Sequence, residues 1–394
     1  MKLKFFILLY VAFFCLSCKT HRVKIENENK GKLIASVSLE TKEEKKFSLD
    51  DSTASTPEYS QLYIDHNGKR FYTFLNNYTN YIYFYDYSTT NFCKKKCWRE
   101  YGTPVALKLK AYYIKSLDSI YLFKISPHEI VSTNEDGQIF HRTNLLLNPK
   151  DRDCFTHYPQ YLPLSGIPFI ETKDKLYVNG FYFGIMSKSF IKDFKFTASL
   201  DFRSNQLEFI HSYPEELYGN QANWCSYLLT QVYSALQPDG NGLVLSFPIS
   251  HNLYISDLKS SEYKKRFGGS NFASTITSLN ENKENTTQEI ALQHFIENDI
   301  YTSILYDKFR KVYYRFLLKA SHKDSNCQSF KDKLVVIIIM DENFKYLGET
   351  TIGRWENWNW QNSFVTSEGL NVEYKDKDPK EAYLTLKIFT LKKI

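Results

Sequence analysis

The chain has 394 residues, among them thirty tyrosines, thirty phenylalanines and only three methionines, with a formal charge of +6. Aromatic and β-branched side chains suit the pleated, half-buried surface of a sheet, so this composition disfavours a long-helix architecture. The excess charge is small and scattered, and no basic stripe of the kind that holds nucleic acid is formed.

At the N-terminus, Lys2 and Lys4 precede the apolar run Phe5–Phe14. That run is too short to cross a bilayer, which takes about 20 residues. Cys15-Leu16-Ser17-Cys18 closes it. A small residue directly before a cysteine is what a lipoprotein signal peptidase accepts, so the segment resembles a lipoprotein leader. The resemblance implies removal of residues 1–17 and lipidation of Cys18, an ordinary cleaved leader being the alternative. Lys19–Lys24 is basic, without the aspartate or acidic cluster that marks inner-membrane retention or surface display. The expected address is therefore the bacterial cell envelope, as an outer-membrane lipoprotein facing the periplasm and held to the membrane by its lipid, with surface exposure as the alternative. Residues 18–32 are polar and read as a flexible tether. A single folded domain is expected over 33–394.

Strand signals begin with Leu33–Leu39 and Phe47–Leu49. Thereafter an aliphatic–tyrosine pair recurs, at Ile82-Tyr83, Ile120-Tyr121, Leu176-Tyr177, Leu253-Tyr254, Val312-Tyr313 and weakly at Ala382-Tyr383. Hairpin turns are signalled at Asn67-Gly68 and Asp136-Gly137. Leu334–Met340 is a continuous apolar run of strand length, fit for the middle of a sheet. Four strands with their turns occupy roughly 40–50 residues, the size of one propeller blade. The pattern thus predicts an all-β chain folded as a β-propeller, six blades favoured over seven or eight, with a sandwich or two β domains as the alternative. The ring would close by pairing Leu33–Leu39 or Phe47–Leu49 with Ala382–Leu391, which removes two open sheet edges.

Tyr306–Phe316, with Leu243–Phe247 and Leu253–Asp257 upstream, resembles a family of uncharacterised bacterial lipoproteins thought to be six-bladed β-propellers. The resemblance implies the fold and brings no activity or catalytic residues with it.

Downstream of Cys18 the cysteines are Cys93, Cys97, Cys154, Cys225 and Cys327, an odd number. Cys93 and Cys97 form the one close pair, open to a local disulfide, to distant pairings or to free thiols. A metal site there would need further ligands at suitable spacing, and three intervening lysines would repel a cation. No nucleophile elbow, phosphate loop or dinucleotide fingerprint is present. Neither catalysis, cofactor nor metal is expected. Candidate ligand contacts are Trp355, Trp358 and Trp360 in the Arg354–Trp360 segment, where aromatic faces stand beside Asn and Glu. Arg310 and Arg315 flank a strand, and Arg315 is expected to point into a central channel. Trp224 and His251 precede strands and are weaker candidates; the alternative is core packing for Trp355, Trp358 and Trp360, a structural ion pair for Arg310 and Arg315, and a structural role for Trp224 and His251. The sequence reads best as a lipid-anchored envelope protein that binds a glycan, a peptide or another envelope protein on one face of the ring. An envelope hydrolase or lyase and a structural subunit are the alternatives.

Overall fold

Six antiparallel sheets follow one another along the chain of this computed structural model, which describes residues 22–53, 55–99, 107–146, 157–225, 227–260, 262–280, 285–321, 329–376 and 382–394. Blades 1 to 5 span residues 60–96, 111–144, 160–210, 233–267 and 300–354. Blade 6 takes Trp358–Val365, Leu370–Tyr374 and Tyr383–Lys393 from the C-terminus, and its outermost strand, Val37–Ser48, from the other end of the chain. The register runs from Val37 opposite Lys393 to Ser48 opposite Tyr383. The six-bladed propeller and the closing pair of terminal strands are as the sequence predicts. Leu334–Asp341 lies inside the sheet of blade 5, and its apolar run is buried from Val335 to Met340.

Hairpin geometry follows local chemistry. Gly68 and Gly137 adopt φ of +78° and +86°, left-handed values that glycine reaches without a Cβ penalty. Asp65 accepts from the backbone of Asn67 and Lys69 at 2.9 and 2.8 Å, holding the first turn. The same device recurs at strand ends: Asp86, Asp201, Asp257, Asp307 and Asp341 each accept from amides two to four residues on. Those backbone donors hold Asp86, Asp201 and Asp257 below the usual carboxylate range.

Blades pack face to face, and aromatic rings fill the gaps between them. Between blades 6 and 1, Phe47, Leu384 and Leu386 meet Tyr72, Phe74, Tyr83 and Tyr85 in one buried cluster. The Phe74 and Tyr83 rings stack with centroids 5.1 Å apart. Each such side chain contributes roughly 1.5–3 kcal/mol by leaving water.

One expectation is corrected and one open choice is decided. The tether does not extend to residue 32. Lys24–Ile25 pair with Ile276–Thr277, and Asn27 Nδ2 donates to the carbonyls of Ser270 and Ala273 at 2.9 and 3.0 Å. Polar composition allowed this because these residues are held by hydrogen bonds rather than by apolar burial. Cys93 and Cys97 are free thiols. Cys93 lies in the extended strand Phe92–Lys96 and Cys97 directly follows it, and four residues of strand span about 13 Å, beyond disulfide reach. Cys18, Cys154 and Cys327 lie outside the described residues.

Candidate functional site

An antiparallel meander sends its first and third turns to one end of the ring and its middle turn and blade-to-blade connection to the other. Here the first end carries short turns such as 65–69, 87–91, 202–206 and 308–311. The other end carries the long connections and all three described α-helices, Lys188–Asp193, Glu215–Tyr218 and Gln288–Glu297. The axis itself is filled. The innermost strand of blade 3 is split into Gln160–Tyr161 and Ile170–Glu171, and the loop between its halves sits on the axis. Ser165 Oγ in that loop accepts from the Ser60 amide at 2.8 Å. A Cβ on Gly166 would lie 2.4 Å from Ser303 Oγ, so this approach requires glycine.

On the long-loop end a cleft of about 500 Å³ opens between blades 6 and 1. Asn359 and Gln361, on the innermost strand of blade 6, form its floor, and Lys375 reaches in from the same blade. Asn76, Asn77 and the exposed Tyr78 of blade 1 form one wall. Trp355 forms the other, half-buried, its ring held at 4.9 Å from Phe330 and 5.8 Å from Trp360. Burial, with Lys331 nearby, lowers the Lys375 ammonium from its ordinary value. Among the described residues no carboxylate lies within ion-pair distance of it. A partly desolvated cation without a counter-ion has an electrostatic reason to take an anion.

Directly beneath lies a buried polar network. Glu373 Oε2 accepts from Asn359 Nδ2 at 3.1 Å and from Asn362 Nδ2 at 2.5 Å. Asn362 also contacts Tyr72 Oη at 2.8 Å and accepts from Ser60 Oγ. Glu373 is fully buried, its Oε1 has no partner among the described residues, and burial pushes its carboxyl up to about 8. The carboxyl is neutral at pH 7 and fixes the orientation of Asn359 from below.

The sequence-predicted residues scatter. Trp355 lines the cleft. Trp358 and Trp360 are in the core, 6% and 2% exposed, because the strand they occupy is packed on both sides. Arg315 is fully buried and points into no channel. It belongs to the second strand of blade 5, whose side chains face the neighbouring blade instead of the axis. There it donates to Ser246 Oγ and to the carbonyls of His251, Gly268, Phe247 and Ser250. His251 is buried between Tyr301 Oη at 2.8 Å and the Ile25 carbonyl at 3.3 Å. Arg310 is on the short-turn end, paired with Asp307 at 3.0 Å and donating to the Thr366 and Ser367 carbonyls. Trp224 is 4% exposed beside a small cavity in another part of the long-loop end. Asn359, Gln361, Glu373 and Lys375 were not anticipated. A signal existed for three of them: Trp358-Asn-Trp-Gln361 alternates aromatic and amide side chains, and Glu373 is a carboxylate inside an otherwise apolar strand.

A family model described as "Domain of unknown function (DUF4221)" matches residues 36–351. A crystal structure of a member of the same family from Bacteroides vulgatus is similar, with a TM-score of 0.75, 19% identity, and coverage of 91% of this chain and 99% of that one. A putative exported protein from Bacteroides fragilis is similar at a TM-score of 0.52 and 10% identity, over 90% of this chain and 95% of the other. No curated protein matches the chain.

Proposed function

This chain belongs to the DUF4221 family, and from that premise we propose that it is a lipid-anchored envelope protein that binds a carboxylate-bearing glycan in the cleft between blades 6 and 1. The observation that carries the reading is Lys375, a partly buried ammonium with no carboxylate in ion-pair distance among the described residues, set beside amides and an aromatic wall in a cleft that Glu58 also lines. The sugar carboxylate would pair with Lys375, its hydroxyls would meet Asn359, Gln361 and Asn77, and a pyranose face would stack on Trp355.

The test is a glycan array and titration calorimetry on the protein from Lys19 onward, with Lys375→Met and Trp355→Ala beside it. Acidic glycans that bind the parent protein and lose at least tenfold in affinity with either variant, at unchanged melting temperature, support the reading. Neutral glycans or peptides bound equally by parent and Lys375→Met would overturn it. For the anchor, the sequence Leu16-Ser17-Cys18 is the support. A Cys18→Ala protein that still incorporates palmitate would exclude lipidation at that residue.

A further inference from the structure

On the same end of the ring but over blades 3 to 5, Cys225 Sγ lies 3.3 Å from His294 Nδ1. The other imidazole nitrogen, Nε2, is 2.6 Å from the Thr277 carbonyl oxygen. A carbonyl only accepts, so the proton sits on Nε2, and in the neutral ring the Nδ1 lone pair faces the thiol. Asn298 Nδ2 caps the His294 carbonyl at 2.9 Å, and the Cys225 amide donates to Asn223 Oδ1 at 2.9 Å, so both partners are held from behind. Cys225 is half-buried and opens on a cavity of about 30 Å³ whose walls include Ile185, Met186 and Trp224. That space admits one or two molecules of water size and no larger substrate. Trp224 is 4% exposed, and its indole N–H has no partner among the described residues. A buried donor left unpaired in a residue that lines a small cavity calls for an acceptor beside it.

We propose that Cys225 and His294 form a nucleophile–base pair that reacts with hydrogen peroxide, with Trp224 donating to the departing oxygen. The thiol proton passes to His294 Nδ1 as sulfur attacks the nearer peroxide oxygen. The O–O bond breaks, and the leaving hydroxide recovers the proton from the imidazolium and departs as water. Sulfur is oxidised by two electrons to the sulfenic acid, and the peroxide is reduced by the same two. Burial pushes the Cys225 thiol up to about 12, so it does not ionise alone and the imidazole is what makes it reactive.

The experiment exposes the protein from Lys19 onward to hydrogen peroxide for timed intervals, quenches it into urea containing dimedone so that buried sulfenic acid is reached, and follows adduct formation at each cysteine by peptide mass spectrometry. Cys93 is the internal control, an exposed thiol that meets the Asn91 carbonyl at 3.7 Å. Cys225 is expected to label about tenfold faster than Cys93, and His294→Gln to remove that advantage while leaving Cys93 unchanged. Trp224→Phe should slow Cys225 several-fold. Labelling of Cys225 no faster than Cys93, or at an unchanged rate in a folded His294→Gln protein, overturns the proposal. Should His294→Gln not fold, the comparison of Cys225 with Cys93 in the parent protein and in Trp224→Phe decides alone.

Discussion

The Arg315 guanidinium stands 3.9 Å from the centre of the Tyr301 ring, and its donors go to one hydroxyl and four backbone carbonyls of blade 4. Among the described residues no carboxylate shares the site. The charge is therefore dispersed over carbonyl dipoles and an aromatic face, and it rivets blade 5 to blade 4. Burial lowers its pKa to about 9, still above neutrality. Arg315→Ala would orphan the carbonyls and is expected to cost about 3–5 kcal/mol. Arg315→Lys keeps the charge without the fork and should lose at least about 1 kcal/mol. Urea unfolding measures both, and an Arg315→Ala protein as stable as its parent would show that those carbonyls find other donors.

Two buried groups give opposite pH dependences. Glu373, raised from 4.5 to about 8, binds its proton more tightly folded than unfolded, so its contribution is complete below pH 4.5 and is lost as pH rises through about 8. His251, lowered from 6.5 to about 4 chiefly by burial, does the reverse: its contribution is complete above 6.5 and is lost as pH falls through about 4. His128, pushed to about 4 by burial alone, adds to the acid side. Stability is expected to peak near about pH 6. In Glu373→Gln the alkaline fall between pH 5 and 8 should flatten, and urea midpoints across that range would detect it.

The tryptophans of the Arg354–Trp360 segment separate by role. Trp360→Ala opens a core cavity and is expected to cost about 3–5 kcal/mol. Trp355, half-buried in the cleft wall, should cost less than half as much when truncated. Thermal melts of the two variants would rank them, and equal losses would remove Trp355 from the cleft.

Truncation separates the two parts of the N-terminal region. A chain starting at Val37 loses the pairing of Lys24–Ile25 and should remain folded with a lower melting temperature. A chain starting at Leu49 also loses the outer strand of blade 6 and exposes the edge of Tyr383–Lys393. It is expected to unfold or to associate, read by circular dichroism and size-exclusion chromatography.

The propeller was legible because strand length, turn chemistry and aromatic content all agree on it. The aliphatic–tyrosine pair that counted six blades is nevertheless not a repeat unit. Ile82-Tyr83 and Leu253-Tyr254 lie in third strands, whereas Ile120-Tyr121, Leu176-Tyr177 and Val312-Tyr313 lie in second strands. The better repeat is the aspartate that ends a third strand and is followed by a short polar turn, seen at Asp86, Asp201, Asp257 and Asp341 in blades 1, 3, 4 and 5. The cleft was only partly legible. Trp355 was visible as an aromatic beside polar neighbours, but Lys375 and Asn76 are far apart in sequence and meet because blade 6 neighbours blade 1. Arg315 was misplaced because alternation along a strand tells which residues share a face, not which strand of the blade they occupy.

The strand Val37–Ser48 leaves the ribosome before any blade is made, and its partner Tyr383–Lys393 follows only after the other strands of all six blades. Throughout synthesis it is an unclaimed edge. Only Leu39 and Phe47 along it are buried in the finished ring, and between them Glu40, Lys42, Glu43, Glu44, Lys45 and Lys46 carry charge. Such charges discourage a nascent edge from joining a neighbouring chain. The same twelve residues thus guard the unfinished protein against aggregation and later latch the completed one.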